Sequence, residues 1–121
     1  MEPPYKAVEF IIENSAKYAE AKAKRIYISE FRKSKKALLM KEAMQNKIEA
    51  ANAQEREAYS HPEYLDLLDG LAEAIEEEER LAWLLEAAKL KTEIWKTESL
   101  DRKSTRLNSS HSQQSRMPSS A

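Results

Sequence analysis

Cysteine is absent from the chain, which excludes disulfides and thiolate metal sites. Glycine occurs once, at Gly70, and a phosphate-cradling loop needs several closely spaced glycines. Histidine occurs only at His61 and His111. No Glu-x-x-His pair is present for a carboxylate-bridged di-metal site, and one isolated histidine makes neither a metal centre nor a catalytic triad. No apolar run approaches the roughly 20 residues that span a bilayer. The opening Met1-Glu2-Pro3-Pro4 lacks the basic-then-apolar order of a secretory signal. These absences predict a soluble, cytoplasmic protein with no catalytic residues, no metal ligands and no cofactor, and hence no enzyme.

What remains is helix-forming material. Charged residues make up 34% of the chain, and Ala, Glu, Lys and Leu dominate it, a composition typical of long helices and coiled coils. At 121 residues, the chain is long enough for one domain. The charges are segregated. Residues 22–41 hold eight basic residues and one acid, Glu30, while residues 63–86 hold nine acids and one base, Arg80.

Residues 63–95 carry the clearest helical signal. Leu67, Leu71, Ala74, Glu78, Leu81, Leu85, Ala88, Thr92 and Trp95 follow a 4-3-4-3 spacing that keeps them on one face. Leu68, Ile75 and Ala82 widen that face. Ser60 and Glu63 fit a capping box, and Pro62 suits a first helical turn. Gly70 fits two readings, a close helix crossing or a tolerated glycine that costs roughly 1 kcal/mol relative to Ala.

A first helix is predicted over about 5–46, with Val8, Ile12, Ala16, Ala19, Ala23, Tyr27, Phe31, Ser34 and Leu38 as its apolar stripe. A turn region follows at about 47–60, containing a short helical piece, and a second helix runs over about 61–98. The basic and acidic blocks lie on either side of a midpoint near Ala53. Folding back there sets basic against acidic, and sets Phe10, Ile11 and Ile12 beside Ile94 and Trp95. The expected fold is therefore all-α, an antiparallel two-helix hairpin of coiled-coil type over residues 1–100. Its core would be thin, so stability would lean on length, charge complementarity or another chain.

Residues 101–121 differ in kind, rich in Ser, Gln and Arg and without periodicity. They resemble one reading frame of a common short-read sequencing-library adapter, interrupted by a sample index around residues 112–114. The resemblance implies a disordered, non-native tail and a natural chain cut near Leu100. No role is therefore drawn from Arg102, Lys103, Arg106, His111 or Arg116. Without this tail Lys plus Arg falls from 20 to 16 and Asp plus Glu from 21 to 20, a net charge near −4.

Two surfaces are candidates for function. Past the acidic run, Trp83, Ala87, Leu90 and Ile94 form a second apolar stripe rotated from the seam, a candidate protein interface. Within residues 22–41, Lys24, Arg25, Arg32, Lys33, Lys35 and Lys36 interleave with Tyr27 and Phe31. That pattern can hold single-stranded nucleic acid by charge and stacking. The competing reading puts Tyr27 and Phe31 in the hairpin seam, with the bases answering the acidic helix. Glu76, Glu77, Glu78 and Glu79 are successive, so they point around a helix and read as a solvated or salt-bridged face.

Residues 30–43, 54–64, 82–88 and 93–95 resemble a group of short uncharacterised tailed-phage proteins, a likeness covering most of residues 5–100. It implies a phage or prophage origin, action in the cytoplasm of a bacterial host, and proximity to replication and recombination functions. It implies no activity and no site. The leading expectation is a helical interaction protein that binds another protein or itself. The alternative is an accessory nucleic-acid-binding protein using residues 22–41.

Overall fold

The computed structural model describes residues 2–110, with side chains through residue 103. All regular structure among them is α-helical: α1 (Tyr5–Gln45), α2 (Ala51–Ser60) and α3 (Pro62–Ser110). The described residues divide into two compact units, one of residues 14–83 and one of residues 2–13 with 84–110.

The helix ends follow from local chemistry. Pro4 precedes α1, and its carbonyl accepts from the Val8 N–H at 3.0 Å. At the far end of α1, Ile48 N–H donates to Ala43 O and Lys47 N–H to Met44 O, both at 3.0 Å. Lys47 takes a left-handed φ of 71°. This 6→1 and 5→2 pairing is the Schellman arrangement, with lysine where glycine is usual. Gln54 then braces the turn, donating from Nε2 to Ile48 O at 2.8 Å.

The expected Ser60–Glu63 capping box does not form. Ser60 belongs to the last turn of α2, and its Oγ donates to Arg56 O at 2.8 Å. His61 alone separates α2 from α3, in extended conformation. The Glu63 N–H donates to His61 Nδ1 at 3.1 Å, so the imidazole satisfies one of the free donors at the α3 start. The helical piece foreseen in the turn region is α2, longer than the sequence suggested, and the true turn is confined to residues 46–50. The second helix does not stop near 98. It continues through Ser110, so residues 101–110 of the supposed disordered tail are helical. Residues 111–121, the remainder of that tail, lie outside the described residues.

Every residue of the predicted α3 stripe is buried or half-buried. The predicted α1 stripe is not: Val8, Ile12, Ala16, Ala19, Ala23, Tyr27, Phe31, Ser34 and Leu38 are all exposed. The covered row of α1 is instead Ala7, Ile11, Asn14, Tyr18, Ala21, Arg25, Ile28, Arg32, Lys35, Leu39 and Ala43. That is about one residue, or 100° of helix rotation, from the expected row. The physical reason lies in the side chains. Alanines permit close approach, and Arg25 and Lys35 turn inward to Glu78 and Glu63 on α3.

In the unit of residues 14–83 the best-packed cluster is Leu39, Ala58 and Tyr64, with Met40 and Leu68 against it. Tyr59 meets Tyr64 edge-on, with centroids 5.3 Å apart. In the unit of residues 2–13 and 84–110, Ala7, Leu85 and Ala88 are buried. Phe10 lines a cleft with Leu84, Ala87 and Ala88, while Ile94 lines one with residues 2–7. Phe10 thus lies about two turns from the register that set it beside Ile94 and Trp95.

Candidate functional site

The six basic candidates have different fates. Arg25 Nε donates to Glu78 Oε2 at 2.6 Å, and its Nη2 donates to Glu78 Oε1 at 3.0 Å. Hydrogen bonding to Glu78 raises the Arg25 pKa, and the same contact holds the Glu78 carboxyl below the usual carboxylate range. Lys35 Nζ sits 3.2 Å from Glu63 Oε2, and Lys36 Nζ sits 3.2 Å from Glu55 Oε1. Lys36 also lies 4.7 Å from the Tyr59 ring centroid, a cation–π contact. Hydrogen bonding to Tyr59 and then to Glu55 raises its pKa. Lys33 makes an exposed contact to Glu30 at 3.4 Å within α1. Lys24 is exposed, and its charge helps lower the Glu77 pKa, a shift caused first by the hydrogen bond from Arg80. Arg32 is half-buried and has no ion pair or hydrogen bond among the described residues.

Three of the six bases are therefore held by carboxylates on other elements, two of them, Glu63 and Glu78, in the acidic block and the third, Glu55, outside it. Tyr27 and Phe31 do not join them in a seam. Tyr27 is 68% exposed, and the two rings stack outward with centroids 6.1 Å apart and planes 9° from parallel.

The acidic run divides as helical geometry requires. Glu78 turns inward to Arg25, whereas Glu77 pairs with Arg80 on its own helix, at 2.6 Å from Nη2 to Oε1. Of the candidate interface residues, Trp83 is 69% exposed, and Ala87, Leu90 and Ile94 are exposed. Ala87 and Ile94 also border the clefts beside residues 2–10. The indole Nε1 of Trp95 is buried with no acceptor among the described residues.

The fold gathers one group that the sequence showed only as scattered residues. His61 Nε2 lies 3.8 Å from Glu42 Oε1, and His61 Nδ1 lies 3.9 Å from Glu63 Oε2. One donor atom from each of Glu42, His61 and Glu63 falls within 4.8 Å of the others. These are ligand types that a divalent cation accepts. In this arrangement Nδ1 is already committed to the Glu63 N–H and Glu63 to Lys35. The signal for this cluster is not in the spacing, since Glu42 comes from the end of α1.

No protein-family model, curated protein or solved structure matches the chain. The fold and its surfaces define it as an all-α protein of long helices with cross-helix ion pairs. No helix among the described residues is long and apolar enough to cross a membrane.

Proposed function

We propose that this chain is a phage-encoded helical interaction protein that catalyses no reaction and acts in the cytoplasm of a bacterial host. Its partner is another helical surface, in the first instance a second copy of itself. The carrying observation is the imbalance between what is buried and what is not. No large side chain is fully buried among the described residues, and most of the buried apolar residues are alanines. Meanwhile Ile12, Tyr27, Leu38, Trp83, Leu90 and Ile94 stay exposed. Burial of apolar area contributes roughly 25 cal/mol per Å², so an alanine seam stabilises weakly and the outer rows are a large unused source.

The ion pairs support an antiparallel hairpin of coiled-coil type, because Arg25 meets Glu78 while Lys35, further along α1, meets the earlier Glu63. Two such hairpins closing into a four-helix bundle would cover the outer rows. The likeness to short tailed-phage proteins supports the origin and compartment.

Sedimentation equilibrium tests the reading. The expected result is a dimer that Trp83→Glu dissociates. A chain that stays monomeric at the highest soluble concentration, with or without Trp83→Glu, would overturn self-association.

A further inference from the structure

We infer that the cleft around Arg32 binds a phosphate diester of single-stranded nucleic acid, with a base resting on Tyr59. The inference does not depend on self-association.

Along the covered side of α1, Arg25 reaches Glu78, Lys35 reaches Glu63 and Lys36 reaches Glu55. Arg32 lies on the same side, half-buried, and reaches no acceptor among the described residues. A partly desolvated guanidinium offers five N–H donors in a fixed fork. Leaving them without acceptors is unfavourable, and an anion relieves it.

The surroundings select the anion. Arg32, Lys33, Lys36, Tyr59 and Tyr64 line an open, polar cleft of about 490 Å³. Arg32 and Lys36 stand four residues apart on one helix, so their side chains are neighbours. Lys33 is already offset by Glu30 and Lys36 by Glu55. One uncompensated positive charge is left, that of Arg32. A phosphate diester carries one negative charge and presents two oxygens that the guanidinium fork matches. A monoester carries nearly two at neutral pH, and its second charge would have to compete with Glu55 for Lys36. Tyr59 is partly exposed at the cleft, with Lys36 over one face of its ring and Tyr64 meeting it near a right angle. A fixed aromatic ring beside a phosphate site is what a splayed base stacks on.

This narrows the basic segment to one site. Arg25, Lys35 and Lys36 hold the helices together, while Arg32 is the group left to receive a ligand. Tyr27 and Phe31 stack on each other and are not needed.

The test is fluorescence anisotropy of a labelled short oligothymidine at low salt, on the full chain. Binding should weaken with added salt, as counterion release requires. Arg32→Gln and Tyr59→Ala should each weaken it by about tenfold, with helical content and melting temperature checked by circular dichroism. Should Tyr59→Ala disturb the fold, Arg32→Lys decides the matter. It keeps the charge and loses the fork, and an affinity between wild type and Arg32→Gln is expected. Lys17→Gln, exposed and outside the cleft, should leave affinity within about twofold of wild type. Absence of binding overturns the inference, as does binding that folded Arg32→Gln leaves unchanged. Thymidine monophosphate competing as well as the oligonucleotide would overturn the diester assignment.

Discussion

Arg25 and Glu78 meet through two parallel N–H···O bonds, at 2.6 and 3.0 Å, across a sequence separation of 53 residues. Glu78 occupies a seam position of α3 and its side chain is only 12% exposed, so the ion pair stands where an apolar layer would otherwise pack. The Glu78 carboxyl has a lowered pKa, first because of the Arg25 hydrogen bond. A depressed folded-state value stabilises the fold above the unfolded pKa, about 4.3 for Glu, and that contribution is lost as pH falls through the folded value. Glu78→Gln should therefore lower the melting temperature at neutral pH. The gap between variant and wild type should close as pH falls through that lowered value, where the wild-type carboxyl becomes protonated. Thermal melts by circular dichroism above and below that value check this, and a gap independent of pH would refute it.

Leu38 and Leu39 are sequence neighbours in opposite surroundings, at 57% and 3% exposure. Leu39 packs with Ala58 and Tyr64 in the cluster that joins all three helices. Leu39→Ala should cost about 2–4 kcal/mol, the range for large-to-small changes in a packed site. Leu38→Ala should cost less than about 0.5 kcal/mol in the isolated chain. Urea denaturation measures both. Equal losses would place the covered row of α1 where the sequence pattern put it.

That contrast also shows what could be read from the sequence. The α3 face was legible because its inward positions carry leucines at 4-3-4-3 spacing, so hydropathy and burial agree. On α1 they disagree. Its inward row mixes Ala7, Ile11, Ala21, Ile28, Leu39 and Ala43 with Asn14, Tyr18, Arg25, Arg32 and Lys35, while Val8, Ile12, Tyr27 and Leu38 form the adjacent outward row. Ranking by hydropathy selects the wrong row, because the inward one carries Arg25 and Lys35, whose partners Glu78 and Glu63 lie on α3. The opposed charge blocks were visible in advance. The Arg32 cleft was visible only as a basic stretch, since Tyr59 and Tyr64 arrive from other helices. His61 appeared isolated for the same reason.

Gly70 lies inside α3, and a β-carbon built there meets nothing within 4 Å. The helix crossing that could have required a glycine is therefore absent from the described surroundings. Its backbone is helical, a conformation that alanine adopts without strain. Gly70→Ala should stabilise the chain by about 1 kcal/mol through helix propensity and reduced freedom of the unfolded chain. Denaturant midpoints measure it. A loss of stability would show that another surface approaches the helix there.

The junction between α2 and α3 rests on one side chain. Ser60 Oγ donates back to the Arg56 carbonyl, a contact within α2 that leaves the α3 donors unserved. His61 Nδ1 accepts from the Glu63 N–H at 3.1 Å. Losing an N-terminal cap acceptor costs about 1 kcal/mol, whereas a serine hydroxyl bonded four residues back contributes little. His61→Ala should therefore lower stability by about 1 kcal/mol, and Ser60→Ala by less than about 0.5 kcal/mol. His61→Asn supplies a shorter acceptor and should recover part of the loss. Denaturation of the three variants under one condition makes the comparison. Ser60→Ala costing more than His61→Ala would restore Ser60 as the cap of α3.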